Sequence, residues 1–167
     1  MGSTPQALTA RDALVSALKA IDGTSTVSLL GDSWTYNYNL SSSVYVGGDP
    51  RAGVDSAAAW VQLDSVDYFA GPAVGQLTAR FSLIILARVS ASANTSTARQ
   101  DAALKLAGDI VAALALDRSL GGTVIDVFDP AANFVVETRD GNGLEEWSEG
   151  AGFVRVLSQP FWCGRLG

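Results

Sequence analysis

The chain of 167 residues has no histidine and a single cysteine, Cys163. Without histidine it lacks the commonest general base and the commonest metal ligand. It also cannot build a Ser–His or Cys–His pair. One cysteine excludes a disulfide within the chain and leaves too few thiolates for a structural zinc site. Cys163 reads as a small apolar residue near the C-terminus. Lysine is scarce, at Lys19 and Lys105, so arginine supplies the other positive charges. The formal net charge is −6. A negative surface repels phosphate, which argues against a groove that wraps nucleic acid. There is no basic run and no basic amphipathic helix, so a membrane-surface role is not expected. The apolar run Leu83–Ala87 is far too short to cross about 30 Å of lipid. No secretion signal is legible at the start. The expected place is a cytosol, or a particle assembled in one.

Familiar catalytic motifs are missing as well. There is no phosphate loop of the GxxxxGKS or GxxxxGKT type and no GxGxxG fingerprint. Two carboxylate pairs, Asp64 with Asp67 and Asp126 with Asp129, have a spacing that glycoside hydrolysis or Mg²⁺ binding can use. Carboxylates at strand ends are more often solvated or capping turns. Asp140-Gly141-Asn142-Gly143 is similar to part of a calcium loop, but it lacks the repeated ligand spacing and the closing Glu. It reads as a turn. No catalytic residue, cofactor site or metal site is assigned, and the chain is not expected to be an enzyme.

What is present suits one packed domain. Hydrophobic residues make up 48% of the chain, enough to fill a core. Pro5 suits the start of a helix running to about Ile21, with Thr4 as its cap and Gly23 as its stop. Leu14, Val15, Leu18 and Ile21 form its apolar stripe. Thr24–Leu30 is β-branched and apolar. Trp34–Leu40 alternates Trp34, Tyr36, Tyr38 and Leu40 against polar residues, the period of a strand with an aromatic face. That face suits a core or a subunit interface, or less readily a platform for sugars or bases. Val44–Val46 is a short apolar run between turn signals. Ala57–Asp67 and Leu77–Ala91 read as strands, joined through the turn-rich Phe69–Gln76. Fifteen residues exceed the usual strand length, so Leu77–Ala91 is expected to bend, bulge or project as one arm of a hairpin. A second helix, about Thr97–Leu116, repeats Ala103, Leu106, Ala107, Ile110, Val111 and Leu114 at helical spacing, with Asn94 or Ser96 as cap. Thr123–Phe128, Asn133–Thr138 and Gly152–Ser158 read as strands, Arg139–Gly150 as a loop, and residues from about 159 to 167 as a tail. The expectation is a single α+β domain, a mostly antiparallel sheet with two helices on one face. Leu106, Ile110 and Leu114 should pack on Phe81, Leu83 and Ile85.

One stretch carries a family resemblance. Ala113-Leu114-Ala115-Leu116-Asp117-Arg118-Ser119-Leu120-Gly121-Gly122-Thr123-Val124 resembles the signature "helix, Asp-Arg-x-Leu-Gly-Gly, strand". That signature belongs to tail terminator (tail completion) proteins of long-tailed bacteriophages and gene transfer particles. The residue-level match covers about Ile110–Val127, and the order of elements is similar over most of the chain. The resemblance implies a structural virion protein that forms a ring, usually a hexamer, on the head-proximal end of the tail tube. Such a ring ends tube polymerisation and joins the tail to the head-completion or neck protein. Its partners are itself and the tail-tube protein, with genomic DNA only passing through the lumen. It needs no cofactor and no membrane.

On the residues alone, Asp117 and Arg118 either pair across a subunit boundary or simply end the helix, where Arg118 suits the dipole. Glu145, Glu146 and Glu149, in the acidic stretch Glu137–Glu149, either meet a basic tube surface or remain solvated. The competing expectations are another neck or tail protein (head-closure, tail-tube or baseplate subunit), a small carbohydrate- or ligand-binding module, and a hydrolase using the paired carboxylates.

Overall fold

A computed structural model describes residues 2–29, 31–47, 57–70, 77–90, 92, 95–124, 127, 135–140, 151–158 and 161–164. Helix α1 spans Gln6–Lys19 and buries Ala7, Ala10, Leu14, Ala17 and Leu18, one stripe at helical spacing. Pro5, not Thr4, occupies the N-cap position, and no side chain caps the helix. The ψ of Pro5 is 140°, so the residue already lies outside the helix. Its carbonyl accepts the Leu8 N–H at 3.0 Å. The helix ends at Ala20, before Gly23, whose positive φ of 82° serves the following turn instead.

Strands β1 (Thr26–Leu29) and β2 (Asp32–Thr35) form a separate two-stranded antiparallel sheet. The second strand stops at Thr35, so of the expected strand Trp34–Leu40 only Trp34 and Thr35 belong to it. The remaining strands are β3 (Val44–Val46), β4 (Ala57–Ala70), β5 (Leu77–Ser90), β6 (Val135–Asp140), β7 (Ala151–Ser158) and β8 (Phe161–Gly164). They make one six-stranded sheet in the order β3-β4-β5-β7-β6, and β8 also pairs with β5. Only β3–β4 is parallel. The fold is therefore α+β and mostly antiparallel, as the pattern of residues predicts, but divided between two sheets.

Helix α2 spans Ser96–Leu116. Its cap is Thr95, whose Oγ1 accepts the Ala98 N–H at 3.1 Å, rather than Asn94 or Ser96. Both helices lie on one face of the large sheet, α1 over β3 and β4, α2 over β5, β6 and β7. Leu106, Ile110 and Leu114 meet Ile85, Ala87, Val89, Ala59 and Val61 in one core, and Ile110 is fully buried. The side chains of Phe81 and Leu83 lie outside the described residues.

Residues 123–124 and 127 are not in a strand, against expectation. Their N–H groups return to the preceding turn, Thr123 to Leu120, Val124 to Ser119 and Val127 to Arg118. Arg139 and Asp140 extend β6 instead of opening a loop. Phe161–Gly164 is a strand rather than tail, because it continues along the edge of β5 just vacated by β7.

The β4–β5 hairpin is the longest feature of the sheet. Each arm has fourteen residues, about 46 Å at strand rise. By contrast, the 21 residues of α2 reach only about 31 Å. The register slips between Leu63 and Ser65, so β4 carries one extra residue, Asp64, opposite β5. A bulge of this kind bends the strand and exchanges its faces. Ala59, Val61 and Leu63 pack on the core before it; Val66 does so after it. Alternation from Val66 then puts Tyr68 on the same face, where it is 51% exposed.

Candidate functional site

Among the described residues the densest polar arrangement is built around Asp109, on the buried side of α2. A carboxylate inside an apolar stripe needs several donors to offset its lost hydration. Asp109 is 0% exposed and has four. The Trp34 indole N–H reaches Oδ1 at 2.8 Å, and the Asn37 side-chain amide reaches Oδ1 at 3.0 Å. The backbone N–H of Asn37 reaches Oδ2 at 3.0 Å, and that of Tyr38 reaches Oδ2 at 2.9 Å. All four donors are uncharged. They explain why the pairing with β1 ends near Tyr36: its N–H still reaches the Ser25 carbonyl at 3.1 Å, but those of Asn37 and Tyr38 go to a carboxylate rather than to a strand.

Gly108 completes the arrangement. A Cβ there would overlap Cζ2 and Cη2 of Trp34, so the indole lies directly on the helix backbone. Tyr36 is buried and Tyr38 half-buried. Burial, followed by the charge of Asp109, raises both phenol pKa values. Tyr36 is thus enclosed in the interior, whereas Trp34 and Tyr38 are each only half-buried. Neither Gly108 nor Asp109 was among the residues singled out from sequence. The signal available was a Gly-Asp pair interrupting an alanine-rich helix.

The turn before β1 is organised by Asp22. Its Oδ1 accepts the N–H groups of Thr24 at 2.9 Å and Ser25 at 2.8 Å, and Oδ2 accepts the Ser25 hydroxyl. These bonds, led by the Ser25 hydroxyl, lower its pKa to about 2.

The segment after α2 forms a tight turn. Asp117 is the C-cap residue, and its Oδ1 accepts the Gly121 N–H at 2.9 Å. Leu120, Gly121 and Gly122 all have positive φ, at 47°, 67° and 86°. Glycine adopts that region freely, whereas Leu120 is held there by complete burial. The Gln6 side-chain amide donates to the Thr123 carbonyl at 2.9 Å and ties the turn to α1. Asp117 thus serves its own helix end, while the neighbouring Arg118 is exposed. Glu145, Glu146 and Glu149 lie outside the described residues, as do the side chains of Asp64, Asp67, Asp126 and Asp129 and the segment Gly141–Gly143.

No group of three potential metal-binding side chains occurs among the described residues. No described helix is long and apolar enough to cross a membrane. An open cleft of about 470 Å³ lies at the start of α2, lined by Tyr38, Ser90, Thr95, Asp101 and Lys105 among others. Comparison with protein-family models and with curated proteins finds no match to this chain.

Proposed function

We propose that this chain is a structural virion subunit. It forms a ring at the head-proximal end of a phage-type tail tube, ends tube growth and joins the tail to the neck. The resemblance of Ala113–Val124 to tail terminator proteins suggested the reading. The observation that carries it is the β4–β5 hairpin. Its arms outrun the helices, and the face that is core at Val61 and Val66 continues to a half-exposed Tyr68. In the register of the sheet, Tyr68 stands beside Ala79, and Ala79 beside Trp162. A long hairpin with an apolar residue on an uncovered face is a liability in a lone monomer and a contact surface in an assembly. A contact between unlike surfaces of identical subunits gives a closed ring when the rotation closes.

In this reading the partners are other copies of the chain, the tail-tube protein and a neck protein. The ring is a hexamer, and DNA passes through it without specific contacts. The exposed Arg118 and the acidic Glu145, Glu146 and Glu149 are candidates for the faces that meet neighbours. No residue is asked to do chemistry and no cofactor takes part.

Native mass spectrometry across a range of concentrations tests the reading. The expected species is a ring of defined stoichiometry that dissociates on dilution. Tyr68→Glu is expected to shift the population to monomer while the circular dichroism spectrum is unchanged. A protein that stays monomeric at every concentration, and does not bind tail tubes, would rule the reading out.

A further inference from the structure

We infer that the described residues 24–29 and 31–39 form a strap that opens as one unit, with Asp109 as its polar latch. This goes beyond the ring reading and does not depend on it. Three features of the molecule lead here. The strap has its own two-stranded sheet, and neither β1 nor β2 pairs with the six-stranded sheet. Every hydrogen bond described between the strap and α2 ends on Asp109. The two ends of the strap are clamped together on the body, through the Asp22–Asn39 bridge and the Leu40 N–H to the Ile21 carbonyl at 2.8 Å. A segment whose ends are fixed side by side can swing outward without pulling on the elements at either end.

Apart from the latch, the attachment is apolar, deep at Tyr36 and shallow elsewhere. Val27, Leu29 and Trp34 are only partly buried, and Tyr36 is the one fully enclosed aromatic of the strap. Thr26, Ser28, Asp32, Ser33 and Thr35 are exposed. The four donors that converge on Asp109 are therefore lost or kept together. When they are lost, the indole leaves Gly108 and uncovers a flat stretch of α2 backbone. Ala103, Leu106, Ile110 and Leu114 share their core with Ile85, Ala87 and Val89 of the large sheet as well as with Tyr36 of the strap.

Hydrogen exchange of the full chain, read by mass spectrometry on peptides covering 26–38 and 97–115, tests the inference. In the unaltered protein, the protected strap amides are expected to exchange together, at least about tenfold faster than the α2 amides. Asp109→Asn keeps the size of the side chain but turns one acceptor oxygen into a donor. It is expected to speed strap exchange by about 10- to 100-fold, the worth of one hydrogen bond to a charged group, and to leave α2 unchanged. An Asp109→Asn chain with normal strap exchange overturns the inference, and so does one in which α2 accelerates by the same factor. If that variant does not fold, the unaltered protein decides alone: equal protection of strap and α2 overturns the strap, and separate protection upholds it.

Discussion

The Cζ2–Cη2 side of the Trp34 indole lies against Gly108, within α2, where a Cβ would overlap it unless the ring shifted. Two effects oppose each other at this position. Alanine gains roughly 1 kcal/mol over glycine in a helix interior. Overpacking a closed contact costs about 1–3 kcal/mol, and here the added methyl meets a ring held in place by its own hydrogen bond to Asp109. Gly108→Ala is expected to lower stability by up to about 2 kcal/mol, the difference between these terms. Urea denaturation checks this. A rise in the midpoint would mean that the indole does not rest on Gly108.

Ile110 follows one position after Asp109 and faces the sheet, with no exposed surface. Truncation to alanine leaves a cavity that the surrounding β-branched and aliphatic side chains cannot close. Ile110→Ala should cost about 2–5 kcal/mol by denaturant titration. A cost near zero would contradict the packing of α2 on the sheet.

The caps give a sharper comparison. Thr95→Ala removes the acceptor of the Ala98 N–H and should cost about 0.5–2 kcal/mol. Thr4→Ala removes no cap, because α1 begins at Pro5 without a side-chain bond. Its thermal midpoint should match that of the parent chain. Equal losses from the two variants would show that Thr4 caps α1 after all.

Acid should act on the Asp22 turn. The folded carboxyl, at about 2, lies below its ordinary value of 3.8. A depressed carboxyl pKa adds stability above the unfolded value, and that stability is lost as pH falls through the folded one. The contribution is present above about pH 4 and disappears on approaching pH 2. Asp22→Asn should flatten the stability profile in that window. An NMR titration placing the Asp22 carboxyl near 4 would remove the basis for the effect.

At high pH the sign reverses. Tyr36 and Tyr38 have raised phenol pKa values, from burial first and Asp109 second. Their contribution is complete below the unfolded value near 10 and is lost as pH rises through the folded values. Ultraviolet titration should show two phenols ionising above the ordinary value near 10. Tyr36→Phe should remove one of them. Ionisation of all tyrosines together at the ordinary value would disprove the enclosure of these rings.

Local periodicity made α2, the β4–β5 pair and the buried face of Ile85, Ala87 and Val89 legible, because a stripe at three and four residues or an alternation at two is written in consecutive residues. The glycines after α2 were legible for the same reason, since positive φ is a local preference. The segment Trp34–Leu40 was not. Its alternation is the same whether the backbone N–H groups join a ladder or turn to a carboxylate more than seventy residues away. Asp109 looked like an ordinary polar interruption of a helix until Asn37 and Tyr38 were brought to it.

The same limit applies to β8 and to the bulge at Asp64. Phe161–Gly164 becomes a strand only because β7 leaves free edge along β5, and no property of those four residues requires it. One added residue in β4 turns Tyr68 to the face of the core, beyond the reach of the helices. By itself, then, the amino-acid order determined which segments become helix or long strand, because backbone preference and side-chain type act over a few neighbours. Tertiary structure alone decided which carboxylate is buried, which aromatic is enclosed and that Tyr68 is left half-exposed, because each depends on donors, edges and covering elements supplied from distant parts of the chain.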